Sequence, residues 1–359
     1  MNTSAGCSNV TMSEGQCWGL SVCGYCYDYG ETRVVSKMYE SFNLAVIGIT
    51  LPVIGCLGLV GNSISAFIYT RKEMVSSLNM YLGALACSDI VIILTAFFLF
   101  FLENMRRRSL YATYYFAVLS PVMFPLGLTA QTLSVFLTVA AALDCLILVA
   151  ADEKFSNQFC SVRTSLYIII GIVLAAFIYN SPHMFEIFVI DCWSVPFGSV
   201  TKDVCPTALR TDPDYLTIYY AYMYTIVMAG GPVFLLIGIN SAIVLAMRRK
   251  KPEGDEESNS SDIITLVLVV CLFICCNILP LTVNFLELLF MIVNAYLIDL
   301  SNLMVVVNSS CNFIIYYAFG SHFRKTLKAY FSPILHRRKE HLGFRRVPVI
   351  ATPPKEVLI

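Results

Sequence analysis

Along the 359 residues, apolar positions gather into seven long runs separated by short polar connections, at roughly 42–69, 80–102, 118–150, 164–185, 216–247, 263–293 and 297–318. A hydrocarbon layer about 30 Å thick is crossed by a helix of about 20 apolar residues, and each run supplies that length. The alternating segments of about ten residues that a barrel would need are absent. Pro52, Pro121, Pro125, Pro232 and Pro280 punctuate the runs. Inside a helical bundle, neighbouring groups re-satisfy the backbone that such prolines free. After Ala318 the pattern changes. Phe319, Phe323, Leu327 and Phe331 recur every fourth residue with Arg324, Lys325 and Lys328 between them, the spacing of an amphipathic helix lying on the lipid of the inner leaflet. The pattern therefore predicts an all-α membrane protein. Its parts are an extracellular N-terminal segment over 1–41, a seven-transmembrane helix bundle over 42–318, an interfacial amphipathic eighth helix over 319–331 and a flexible cytoplasmic tail over 332–359.

Composition supports the bilayer and sets the orientation. The apolar set AVILMFWYC makes up 57% of the chain and charged residues 13%, about half the charge of a soluble domain. With the N-terminus outside, 17 of the 24 Lys and Arg fall in inner loops and the tail, which the positive-inside rule favours. Arg106, Arg107 and Arg108 fall outside and count against it. The expected location is the plasma membrane, multi-pass, N-out and C-in. The basic residues flank apolar runs and form no soluble basic face, so nucleic acid is excluded as a partner.

Connections are short except for 252–262 and the loop near 190–214, leaving no room for a catalytic domain. The four His (His183, His322, His336, His341) are scattered, so no enzyme is expected and no cofactor is required. No repeated halves suggest a transporter, and a channel would need more intramembrane polar groups than the chain has around Asp89.

Six of the 14 cysteines lie in polar outer segments: Cys7, Cys17, Cys23, Cys26, Cys192 and Cys205. They are disulfide candidates in an oxidising compartment. The other eight sit in or beside apolar runs as small buried hydrophobes. The start of the chain lacks the basic and apolar stretches of a cleavable signal peptide. It carries glycosylation sequons at Asn2 and Asn9.

Four segments resemble the rhodopsin-like G-protein-coupled receptors: Gly61-Asn62; Asn79 through Leu82-Gly-Ala-Leu-Ala to Asp89; Pro232 and Pro280; and Asn308-Ser-Ser-Cys-Asn312-Phe-Ile-Ile-Tyr316, similar to the family's Asn-Pro-x-x-Tyr with Phe for Pro. A narrower likeness is to invertebrate FMRFamide-type neuropeptide receptors. It is carried by Phe124-Pro-Leu-Gly-Leu-Thr-Ala-Gln-Thr132, by Asn180-Ser-Pro-His-Met-Phe-Glu186 and by Pro206-Thr-Ala-Leu-Arg210.

The resemblance implies a receptor for a short, amidated neuropeptide that relays binding to a heterotrimeric G protein through a change in the bundle. It also implies an allosteric sodium ion at Asp89, with Ser134, Asn308, Ser309 and Asn312 around it; the alternative is a polar network that only holds helices together. Gly127 stands where amine receptors carry Asp, and the seventh run has no Lys, so neither an amine nor retinal is expected. For a ligand ending in Arg-Phe-amide, Glu186, Glu287 and Asp299 are candidate partners of its guanidinium, with Gln131 as a deeper amide contact. Two departures matter. Asp144-Cys145-Leu146 replaces the family's Asp/Glu-Arg-Tyr, which leaves open a receptor-fold protein with little G-protein activation, serving as a decoy, partner or trafficking subunit; Asp144, Cys145 and Tyr316 are its switch residues. Ser120 replaces the family's outer cysteine of the third run, so Cys192 and Cys205 are expected to pair with each other or with N-terminal cysteines. The terminal Glu356-Val-Leu-Ile359 fits a PDZ groove by strand addition.

Overall fold

The computed structural model describes residues 20–24, 37–106, 108–249, 257–290 and 292–342. Asn2, Asn9, Cys7, Cys17, Cys26 and the tail from 343 onward lie outside the described residues. Seven helices are long and apolar enough to cross a membrane: Lys37–Tyr69, Ser77–Arg106, Leu110–Ala150, Val162–Phe185, Pro213–Arg249, Ser261–Glu287 and Ala295–Phe319. They follow the seven apolar runs in order. Several start earlier than hydropathy suggests, because polar caps set their first turns. Ser76 accepts from the Asn79 amide, Ser109 from Ala112, Ser161 from Thr164, and Asn294 from Tyr296 and Leu297. Each cap satisfies amides that a helix start leaves unpaired.

The prolines are absorbed in two ways. Pro121 and Pro125 sit inside the unbroken helix Leu110–Ala150. Pro52 and Pro232 each follow a stretch wound as π-helix, Leu44–Thr50 and Leu216–Gly230. A proline ring crowds the carbonyl four residues earlier and offers it no N–H; a widened turn just before it relieves that crowding. A third π stretch, Phe97–Leu102, carries no proline.

Large apolar side chains such as Leu57, Tyr167, Leu174, Ile178, Ile226 and Phe234 face outward, as lipid contact requires. Two clusters fill the interior. The larger includes Ile68, Tyr81, Cys145, Leu236, Tyr316 and Phe323. The smaller joins Ile47, Leu51, Ala96, Leu303 and Val306 of the first, second and seventh spans.

The polar loop between the fourth and fifth spans folds as a hairpin. Strand β1 (Ser21–Val22) pairs parallel with β2 (Ile187–Ser194), which pairs antiparallel with β3 (Ser199–Pro206). Cys192 faces Thr201 and Cys205 faces Phe188, four rungs apart, so these two cysteines do not pair with each other. Cys192 is bonded instead to Cys23, and Cys205 is also disulfide-bonded. The Ser120 hydroxyl donates to its own helix, at the Phe116 carbonyl. The N-terminal segment thus replaces the third span as the anchor of Cys192. Asp203 adds a second anchor. It accepts from the Gly24 amide at 2.8 Å, where glycine adopts φ +90°, and from Arg106 at 3.4 Å. Arg106 also pairs with Glu103 at 2.7 Å. A basic residue that opposed the charge count is therefore neutralised by two carboxylates at the same end of the bundle.

A helix also runs over Ser321–Leu342, beginning just past the last span and continuing beyond the stretch expected to be helical into the expected flexible tail. Its apolar residues were expected to meet lipid. Phe323 instead packs against Tyr69 and Tyr316, and Leu327 and Phe331 lie on the same cluster. The Arg324 guanidinium caps the carbonyls of Tyr317 and Ala318. A short helix, Glu153–Phe159, fills the connection between the third and fourth spans.

The bond joining residues 169 positions apart should carry measurable stability. Native disulfides in small secreted domains contribute about 2–5 kcal/mol. Cys23→Ser is expected to reduce surface expression and the unfolding temperature of the solubilised protein, measured against Cys56→Ser, whose thiol is free. Equal behaviour of the two variants would show that the tie is dispensable.

Candidate functional site

Polar side chains meet at three depths of the bundle. At mid-depth, Asp89 is fully buried and accepts from Asn312 Nδ2 at 2.7 Å. The Ser134 and Ser309 hydroxyls face the same carboxylate. Asp89 Oδ1, Ser309 Oγ and Asn312 Oδ1 nonetheless remain buried without a well-formed hydrogen bond. Oxygens in that condition suit a hard cation, which takes carboxylate, hydroxyl and amide oxygens. Asn308 lines an adjoining small cavity of about 50 Å³, together with Gln131, Ser134 and Ser309. Asn62 completes the level from the first span, donating to the carbonyls of Gly58 at 3.0 Å and Ser309 at 2.7 Å. Gly61-Asn62 was visible as a motif, but nothing in the sequence said which backbone Asn62 would reach.

At the end of the bundle away from the hairpin, Asp144 accepts from Ser77 at 2.6 Å, and Ser77 shares a 2.8 Å hydrogen bond with Ser165. Spans two, three and four are joined through this carboxylate, with no ion pair to it among the described residues. The Cys160 thiol, pushed up to about 12 by burial and by the charge on Asp144, keeps its proton and donates to the Asp144 carbonyl at 3.5 Å. Asp144 Oδ2 is buried and takes no hydrogen bond. Cys145 is fully buried among apolar residues. Tyr316 packs edge-on against Tyr69, and its hydroxyl has no hydrogen-bond partner among the described residues. Phe313 lies against Gly61, where an added Cβ would come within 2.8 Å of the Phe313 Cβ. The phenylalanine that replaces the motif proline thus needs a glycine opposite.

Toward the hairpin end of the bundle the four candidate ligand contacts separate. Glu186 is wholly buried and already has four donors. His183 Nδ1 (2.8 Å) and Tyr215 (2.6 Å) meet one oxygen; Tyr220 (2.6 Å) and Arg210 (3.5 Å) meet the other. The guanidinium of Arg210 also lies 4.2 Å over the Tyr220 ring. This cluster locks the end of the fourth span to the start of the fifth. Asp299 is buried at the far side, on the wall of a cavity of about 430 Å³ between the first, second and seventh spans. Glu287 is exposed and lines neither cavity. Gln131 lies deeper, beside the Asp89 level. His183, Arg210, Tyr215 and Tyr220 escaped the sequence reading as a unit, because the last three reach Glu186 only across a hairpin whose register was not legible.

Burial alone would raise the Glu186 carboxyl; the hydrogen bonds from His183, Tyr215 and Tyr220 outweigh it and hold it below its ordinary value of 4.5. A carboxyl held low in the fold adds stability above that ordinary value and loses it as pH falls through the lower folded one. Glu186→Gln should therefore cost about 1–3 kcal/mol at neutral pH and show a shallower loss on acidification below 4.5 than the unaltered protein. Thermal unfolding in detergent across that range checks it; parallel curves would refute the assignment.

Residues 62–316 match the family described as 7 transmembrane receptor (rhodopsin family). The chain is 65% identical to a probable G-protein coupled receptor, frpr-1, of Caenorhabditis elegans, over 100% of this chain and 99% of that protein. It is 31% identical to the FMRFamide receptor of Drosophila melanogaster, over 82% of this chain and 56% of that one. Identity is 29% to the FMRFamide peptide receptor frpr-18 of C. elegans, over 77% and 66%. The seven spans, the Asp89 level and these matches agree: the chain is a multi-pass membrane receptor, not an enzyme, and belongs to the rhodopsin family of seven-transmembrane receptors.

Proposed function

We propose that this receptor binds a short amidated peptide of the FMRFamide type at its outer end and passes the event to a G protein at its inner end. The observation that carries this reading is its similarity, over most of the bundle, to receptors named for FMRFamide. An outer end that combines a sheet cap with a carboxylate-lined cavity suits a peptide better than a small apolar ligand. The outer placement of the hairpin is supported by its disulfides, which belong to an oxidising compartment, and by the charge count along the chain. Expressing the full chain with several G-protein reporters and applying peptides ending in Arg-Phe-amide, beside their free-acid forms, tests the reading. Responses confined to the amidated forms are expected; silence toward all of them at verified surface expression would reject it.

Asp89, Ser134, Ser309 and Asn312 would hold a sodium ion, with Asn308 at its edge. Such an ion supplies positive charge to the buried carboxylate and favours the arrangement that encloses it, so a ligand preferring another arrangement competes with it. Asp89→Asn keeps an acceptor for Asn312 and removes the charge. It is expected to abolish the difference in peptide affinity between sodium and a bulky organic cation. An unaltered receptor that shows no such difference would make the level purely structural.

Coupling depends on Cys145. A buried neutral thiol offers neither a partner for Asp144 nor a cationic surface for a G protein. Asp144 Oδ2, lacking a hydrogen bond, has capacity for a guanidinium placed next to it. Cys145→Arg is accordingly expected to raise peptide-driven signalling severalfold at matched surface expression. Equal signalling by both forms would show that the cysteine costs nothing.

A further inference from the structure

We propose that the cavity at the outer ends of the first, second and seventh spans is a binding site for a cationic group of the ligand, a guanidinium or an ammonium, with Asp299 as its counter-charge. The inference rests on the peptide-receptor reading above and locates the contact that the reading leaves open.

The three outer carboxylates proposed as partners for such a cation differ in what they have left to offer. Glu186 has its oxygens filled by four donors, and Glu287 stands exposed, where pairing is worth little. Asp299 is 7% exposed and receives one hydrogen bond, from Asn43 Nδ2 to Oδ2 at 2.8 Å. Its Oδ1 takes none among the described residues. A carboxylate so far removed from water and met by one neutral donor is undercompensated, and a cation is the group that would compensate it.

The surroundings are arranged for a visitor. Asn104 donates to Asn43 Oδ1, so an amide chain from the second span through the first fixes the carboxylate. The cavity holds about 430 Å³; its wall carries Glu40 and Glu103 beside Asp299, one cation, Arg108, which forms no ion pair with Asp299 among the described residues, and the aromatic rings of Tyr39 and Phe100. Aromatic faces accept cations as well. Glu103 is already engaged by Arg106 at 2.7 Å, which leaves Asp299 as the buried acceptor. Two π stretches bound the space, Leu44–Thr50 with Ile47 on the wall and Phe97–Leu102 with Leu99 and Phe100. Widened turns of this kind recur where helices are shaped around a ligand. Below them the cluster of Ile47, Leu51 and Val306 closes the floor.

The test uses the full receptor in cells and labelled Phe-Met-Arg-Phe-amide as probe. Two analogues separate the sources of charge: one with citrulline for arginine, one acetylated at its N-terminus. Asp299→Asn keeps the side-chain shape and the acceptor for Asn43. It is expected to weaken the parent peptide by about tenfold or more, the loss of one charge-assisted hydrogen bond. That loss should vanish for a single analogue, the citrulline form if the site takes a guanidinium, the acetyl form if it takes an ammonium. The same loss for all three peptides, or none for any, overturns the site and leaves the peptide reading standing. No specific binding of the parent peptide to the unaltered receptor overturns both. Leu99→Trp fills the cavity without touching a charge. It should likewise erase the difference between the parent and that same analogue, and it decides the matter should Asp299→Asn fail to reach the surface. A retained difference in Leu99→Trp overturns the proposal.

Discussion

A carboxylate in the middle of a membrane is the most costly side chain this protein contains, and the packing of four spans follows from how Asp89 is housed. The surrounding hydrocarbon offers no hydrogen bonds, so polar atoms at that depth must find partners inside the bundle. Asp89 enters from the second span, Ser134 from the third, Ser309 and Asn312 from the seventh. Asn62 then draws the first span onto the backbone of the seventh. That approach is possible because the facing residues are glycines. A Cβ on Gly58 would lie 2.2 Å from Ser310 Oγ. Polar satisfaction and close packing are here one constraint.

The same constraint is met twice more, with different materials. Asp144, at the opposite end of the bundle from the hairpin, has one oxygen met by Ser77, which Ser165 of the fourth span supports in turn. Glu186 at the outer end is satisfied by an imidazole, two phenols and a guanidinium. Each buried carboxylate thus ties together helices that the hydrophobic effect alone would leave free to slide, since lipid is as apolar as their flanks. The inner tie is made of neutral groups only. It holds the third span in place without storing the ion pair that a neighbouring arginine would have formed and released.

Much of this was legible in the chain. Runs of apolar residues gave the number and order of spans, because hydropathy over 20 residues is a strong and local signal. The Asp89 level was legible because a carboxylate in such a run has few alternatives. What escaped has a common cause: it depends on contacts between residues far apart in sequence. The hairpin register decides that Cys192 cannot meet Cys205. Arg106 finds Asp203 across the outer cap. The donors of Glu186 arrive from three segments. Phe323 and its neighbours, whose spacing suited a membrane surface, spend their apolar face on Tyr69 and Tyr316; periodicity names a buried face but not what covers it.

The strand at Ser21–Val22 has a bearing on how the molecule is made. Its partner, β2, lies beyond the fourth span, and the thiol that Cys23 will join is 169 residues downstream. A chain emerging from the ribosome therefore completes the segment that carries Cys23 long before that segment has anything to pair with. Four spans are synthesised between the two cysteines, while Cys23 stays reduced or bonded elsewhere. The outer cap is consequently assembled after translation has passed the hairpin, and its closure reports that the spans on both sides of it have been inserted in the correct sense.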